Sequence, residues 1–128
     1  MTTPFLCVLA AFVLAWAMRL PVFVAIKRSG RELDIANPEL QMNALEGLGA
    51  RAVAAHRSAL QNFAPFAAAV VVAHLAGADP RRTSVLAITF VVAQLVHGLA
   101  YLADVDYLRS FVWLIAWFAT LGLFLLAL

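Results

Sequence analysis

Charge is scarce in this chain. Only 12% of its 128 residues are Asp, Glu, Lys or Arg, against roughly 25% in ordinary soluble domains. It therefore lacks the polar surface that a water-soluble monomer of this size must show to solvent. A single cysteine, Cys7, excludes an intramolecular disulfide framework and reads as a small apolar residue of the first hydrophobic run. The three histidines, His56, His74 and His97, stand far apart with no cysteine or carboxylate at ligand spacing, so no metal site is expected. Neither a glycine-rich phosphate loop nor a Ser/His/Asp arrangement is present. The nine basic residues are dispersed, and a pI near 9.2 without clustering marks no nucleic-acid surface.

What the chain has is apolar sequence: 65% of it is hydrophobic, with a mean hydropathy of +0.93. Four runs, at about residues 4–26, 50–76, 83–102 and 107–128, each approach or exceed the roughly 20 residues that span a bilayer. The expectation is an all-α integral membrane four-helix bundle forming a single domain over residues 1–128. The first run is expected to stay in the membrane as a helix of the bundle rather than be cleaved as a signal, because no Lys or Arg precedes it and it exceeds a signal core of about 7–15 residues. One real loop remains, residues 27–49, punctuated by Ala36-Asn37-Pro38-Glu39 and Gly47-Leu48-Gly49. Lys27, Arg28, Arg31, Arg51, Arg57 and Arg109 flank the first and third connections, while the second carries Arg81 and Arg82. The positive-inside rule then puts the first and third connections in the cytoplasm and both termini outside. An Ala-rich composition favouring Arg over Lys points to a bacterial inner membrane.

Polar residues within the spans fall in stripes. Arg51, Ser58, Gln61, Asn62 and Pro65 share one broad face of the second span, with Arg57 on its flank. Gln94, His97, Tyr101 and Asp104 line one face of the third, and Arg109-Ser110 opens the fourth. Taken singly, the arginines fit snorkelling to headgroups, Gln61 and Asn62 fit interhelical hydrogen bonding, and Tyr101 fits an interfacial anchor. Arg19 could snorkel or pair with a carboxylate such as Asp104, and His74 reads as interfacial. Taken together, the stripes converge near one membrane surface and describe a pocket. Guanidinium, hydroxyl and phenol groups suit a small carboxylate-bearing anion, and the arginines would favour the thiolate of a bound thiol.

The stretch His56-Arg57-Ser58-Ala59-Leu60-Gln61-Asn62-Phe63-Ala64-Pro65-Phe66 resembles the second-helix signature of the MAPEG family, the membrane-associated proteins of eicosanoid and glutathione metabolism. Ala36-Asn37-Pro38-Glu39 resembles the family's first-loop motif, and His97-Gly98-Leu99-Ala100-Tyr101 its third-helix His-x-x-x-Tyr. Arg109-Ser110 resembles the pair that opens the fourth helix in the prostaglandin E synthase branch. The resemblance implies a homotrimer with glutathione held between neighbouring subunits near the cytoplasmic surface. It also implies that Arg109, helped by Ser110, stabilises the glutathione thiolate. Arg57, Ser58, Gln61, His97 and Tyr101 match positions that hold glutathione or shape its pocket, with Arg51 beside them, and Arg28 or Arg31 matches an arginine from the first-helix end. Three positions depart from the family pattern: Ser58 stands for Asn, Gln61 for Glu and Ala54 for Arg.

The function expected is a glutathione-dependent transferase or peroxidase acting on lipophilic small-molecule electrophiles at the membrane. The departures keep a second expectation open, a non-catalytic lipid-binding member of the same fold. A third is an accessory protein of a larger membrane complex, packed through its apolar outer surface.

Overall fold

The computed structural model describes residues 2–128. Six helices follow one another: α1 Thr3–Ala17, α2 Arg19–Arg28, α3 Pro38–Asn43, α4 Leu48–Leu75, α5 Pro80–Ala103 and α6 Asp106–Leu125. Among the described residues there is no strand. α1 and α2 together make one 26-residue apolar span, and α4, α5 and α6 make the other three. Only 22% to 39% of each apolar window is buried within the protomer. The outward faces, with Phe12, Val13, Trp16, Phe111, Leu114 and Phe118 all exposed, are tolerable only in hydrocarbon or against another apolar surface. The chain is an integral, multi-pass membrane protein.

The first span is broken, which the apolar run at 4–26 did not announce. Pro21 has no N–H to offer the carbonyl of Ala17, and its ring crowds that carbonyl. The helix therefore yields at Met18 and resumes at Arg19. Met18 leans on α5 where Gly98 leaves room; a Cβ there would stand 2.9 Å from the Met18 sulfur. One turn before the break, His56 of α4 donates its Nδ1–H to the Ala15 carbonyl at 2.8 Å, with its ring 5.5 Å from that of Trp16. This buried bond pins α1 to α4.

Helix starts also differ from the apolar runs by two or three residues, for local reasons. α5 begins at Pro80 rather than at 83 because proline suits the first turn and the Asp79 side chain caps the Arg82 N–H at 2.8 Å. Arg81 and Arg82 are thus helical although they are not apolar. α4 begins at Leu48 because Gly47 turns the chain with φ +58°. In the first loop, the Asp34 carboxylate accepts from the Ala36 and Asn37 N–H groups, and Gln41 bonds both the Asp34 N–H and the Glu32 carbonyl. These contacts set α3 beneath α4.

α5 and α6 pack most extensively, and α1, α4 and α5 each contact one another. Small side chains let them approach: Ala11, Ala69, Ala87, Ala93, Ala116 and Ala119 are all buried. At the centre Phe66 and Phe90 stack with ring centroids 3.8 Å apart. A second cluster, Val22, Ile26, Met42, Ala52 and Val53, closes the bundle at the end that carries the first loop.

His56→Leu removes the tie to Ala15 and strands a carbonyl away from water. We expect a loss of about 1–3 kcal/mol, read as a lower thermal unfolding midpoint in detergent. An unchanged midpoint would show that the bond contributes nothing.

Candidate functional site

A cleft of about 400 Å³ opens where α4, α5 and α6 meet, toward the end of the bundle that carries the first and third connections. It is lined by Ala54, Arg57, Ser58 and Gln61 from α4, His97 and Tyr101 from α5, and Arg109, Ser110 and Trp113 from α6. Helical spacing brings them together. Positions 54, 57, 58 and 61 lie on successive turns of one α4 face, 97 and 101 one turn apart on α5, and 109, 110 and 113 along the first turns of α6.

His97 organises the floor. It is 3% exposed, its Nδ1 lies 3.0 Å from the Arg109 carbonyl, and its Nε2 lies 2.9 Å from the Ser58 hydroxyl. A carbonyl only accepts, so Nδ1 carries the proton; in the neutral ring Nε2 then accepts from Ser58. One imidazole thereby joins α4, α5 and α6. Tyr101 meets the His97 ring edge-on at 5.0 Å, and the Arg109 guanidinium sits 4.5 Å from the Tyr101 ring centroid, a cation–π contact.

Both cleft arginines are held by exposed partners. Arg109 faces Asp106 at 3.4 Å. Arg57 donates to Glu39 at 2.9 Å and to Asn43 at 2.7 Å, both on α3. The carboxylate side chains of Glu39 and Asp106 are 70% and 72% exposed, so these pairs are screened by solvent and weakly held. An anionic ligand entering the cleft would compete with them for the guanidinium groups. Chemically, the arrangement offers two cations, two hydroxyls, a phenol and a carboxamide around one space, the donor set for a carboxylate-bearing anion.

Seven residues picked out in sequence, Arg57, Ser58, Gln61, His97, Tyr101, Arg109 and Ser110, line this one cleft. Three others do not. Arg51 lies 4.0 Å from Asp104, with its Nε enclosed and unpartnered. Arg31 lines a separate cleft between the end of α2 and α3. Arg28 ends α2 on the exposed surface. Arg19 has its guanidinium 5.6 Å from the Phe23 ring, and Asp104 is occupied by Arg51 rather than by Arg19. His74 packs edge-on to Phe5. Sequence reasoning missed Trp113, one turn beyond Arg109, and missed Glu39, Asn43 and Asp106 as partners of the arginines. Glu39 stood inside a quoted motif, yet nothing in the sequence told which cation it would meet.

Asn62 points elsewhere. It lines a second, apolar cavity of about 250 Å³ with Pro65, Phe90, Ala116, Trp117, Thr120, Leu121 and Phe124. That cavity lies further along the faces of α4 and α6 that line the first. Among the described residues no group of His, Cys, Asp and Glu is placed to hold a metal ion.

Compared with known proteins, residues 3–128 match the model of the MAPEG family. No curated protein matches the chain.

The geometry separates ligand-facing arginine from structural histidine. Arg57→Met, which ends only exposed contacts, should change the unfolding midpoint by less than about 1 kcal/mol of stability. His97→Phe, which keeps a ring but ends the bonds to the Arg109 carbonyl and the Ser58 hydroxyl, should cost about 1–3 kcal/mol. Thermal unfolding of both variants in one detergent checks the order; equal losses would contradict it.

Proposed function

Because the chain belongs to the MAPEG family, the membrane proteins of eicosanoid and glutathione metabolism, we propose that its polar cleft binds glutathione. On this reading the protein is a transferase or peroxidase for hydrophobic electrophiles. The observation that carries it is the convergence of Arg57, Tyr101, Arg109 and Ser110 on one cleft beside an apolar cavity. A water-soluble tripeptide anion and a lipophile would meet at that border.

The donor set fits the tripeptide. Arg57 suits a carboxylate, since a guanidinium binds one bidentately once Glu39 is displaced. Gln61 and Tyr101 supply neutral donors and acceptors. When bound, glutathione supplies a nucleophilic thiolate. Arg109 favours that anionic form through its charge, and Ser110 adds a hydroxyl donor. His97 holds the Arg109 backbone and so positions the start of α6. The apolar cavity beyond the cleft takes the lipophile.

A homotrimer completes the reading. Arg28 and Arg31 lie outside the cleft of their own protomer, and a neighbouring copy would bring one of them to it. The cleft faces the cytoplasm, on the side of Lys27, Arg28 and Arg31, and the membrane is a bacterial inner one. The departures at Ser58 and Gln61 favour a second reading, a non-catalytic lipid-binding protein of the same fold. Ser58 is already engaged by His97, and Gln61 brings no charge.

Calorimetry on detergent-purified protein separates the two. Glutathione should bind in the micromolar to millimolar range, at least tenfold more weakly in Arg109→Ala, one charge-assisted bond being worth roughly 1.5–3 kcal/mol. Gln61→Glu should tighten binding roughly tenfold or more, by giving the tripeptide's ammonium a charged partner. No binding in folded, oligomeric protein would overturn the enzyme reading in favour of the lipid-binding one.

A further inference from the structure

Carboxylates are divided unequally between the two ends of the bundle. Of the seven acidic side chains, Glu32, Asp34, Glu39, Glu46, Asp104 and Asp106 stand at the first and third connections. Three of them there face Arg51, Arg57 and Arg109. The second connection has only Asp79, and its carboxylate is spent on the Arg82 N–H as the cap of α5. Arg81 and Arg82 are both exposed. Among the described residues neither guanidinium has a carboxylate within ion-pair distance.

Beside these two cations the outer seam between α5 and α6 is hollowed. Arg81, Arg82 and Val85 of α5 and Leu126 at the end of α6 line one hollow of about 510 Å³. Thr89 of α5 with Ile115 and Phe118 of α6 line the next, of about 420 Å³, and Leu86 belongs to both. Leu86 lies against Gly122, where a Cβ would stand 3.1 Å from its Cδ1, so the bare backbone of α6 at that turn lets the side chain lie low in the seam. The Thr89 hydroxyl donates to the Val85 carbonyl at 2.8 Å and leaves its methyl to the groove. Polar capacity is thus concentrated in the two guanidinium groups. From Leu126 back to Ile115 the chain rises roughly 16 Å at helical pitch, about half of the ~30 Å hydrocarbon core and so the depth of one leaflet.

We propose that the α5–α6 seam is a binding site for one anionic phospholipid of the bilayer, its phosphate on Arg81 and Arg82 and an acyl chain along Val85, Leu86 and Phe118. Guanidinium groups bind phosphate oxygens bidentately, and the bilayer sets phosphates at the level where the apolar seam ends. A second copy of this chain is the poorer occupant. Inserted the same way round, it brings only Asp79 to this level, and that carboxylate is spent as a cap in every copy. A zwitterionic lipid carries the same phosphate with a cation beside it, which the two arginines disfavour. The site shares no lining residue with the polar cleft or with the cavity behind it. It therefore stands whether or not glutathione binds.

The test reads lipid contact at the groove itself. With Trp16, Trp113 and Trp117 changed to Phe, Phe118→Trp puts the chain's single tryptophan in the seam. The protein is reconstituted in phosphatidylcholine vesicles, and increasing fractions are replaced by chain-brominated phosphatidylglycerol or chain-brominated phosphatidylcholine. The anionic lipid should reach half-maximal quenching at roughly tenfold lower fraction, as two arginines at a lipid surface warrant. Arg81→Gln with Arg82→Gln should bring the two lipids to within about twofold, while Arg81→Lys with Arg82→Lys keeps most of the preference. Unchanged quenching by the zwitterionic lipid reports an intact groove in each variant. Without any variant, raising salt from about 0.1 M to about 1 M should shrink the preference severalfold, the Debye length falling from about 10 Å to about 3 Å. Leu9→Trp as the single tryptophan, on the exposed face of α1, should show no preference. Equal quenching by both lipids at position 118 overturns the assignment. So does a preference that survives the glutamine variant, that ignores salt, or that is as large at position 9.

Discussion

Three helices of the bundle are tied by one imidazole, and the position of every cleft side chain depends on that tie. His97 spends one ring nitrogen on the backbone of α6 and the other on a side chain of α4. Because the α6 partner is the carbonyl of Arg109, the bond fixes where α6 begins and so where its guanidinium emerges. Because the α4 partner is Ser58, it also fixes the rotation of α4 that brings Arg57 and Gln61 to the same space. In water such a network would compete with solvent. Among helices that expose apolar faces, the alternative to each bond is an unpaired polar group, which gives the bond directional authority.

The polar groups are graded along the bundle axis in a way that follows from dielectric environment. At the open end, full charges occur and their partners are solvated: Glu39 beside Arg57, Asp106 beside Arg109. One step inward the groups are neutral and fully paired, as His97 is with Ser58 and the Arg109 carbonyl. One step further they are neutral carboxamides without partners, Asn62 and Gln94. Beyond them comes the aromatic stack of Phe66 on Phe90. Charge is confined to where water can screen it, and hydrogen-bonding capacity outlasts charge by about one helical turn.

The four spans were readable because a run of about twenty apolar residues suits a bilayer and little else. The cleft was readable because polar residues inside such runs are conspicuous. Two stripes at helical spacing and the Arg109-Ser110 pair were enough to select seven of the nine lining residues. What was hidden had specific causes. The break at Met18 comes from a proline three residues later, inside a run that is apolar enough overall to read as one span. Arg51 shares the stripe of Ser58 and Gln61, but a left-handed turn at Asp104, with φ +59°, brings a carboxylate to it. The partners of Arg57 lie fourteen and eighteen residues upstream, across a loop whose path is set by Asp34 and Gln41. Periodicity within a helix is legible in one dimension; contact across a loop is not.

The departures from the family pattern look different once the bonds are counted. At position 58 a hydroxyl replaces a carboxamide, and that hydroxyl is directed at His97 rather than into the cleft. The short side chain at 58 thus serves the joint between α4 and α5. At position 61 the loss of a carboxylate leaves Arg57 and Arg109 as the charges of the cleft wall, with their counter-ions placed outside on Glu39 and Asp106. Ala54, where the family pattern has Arg, offsets that loss, so the cleft keeps the net charge of the family pattern while one cation and one anion are missing from its wall. On the proposed reading, affinity for a ligand with two carboxylates rests on how readily Glu39 and Asp106 give way, and both stand where solvent makes that easy.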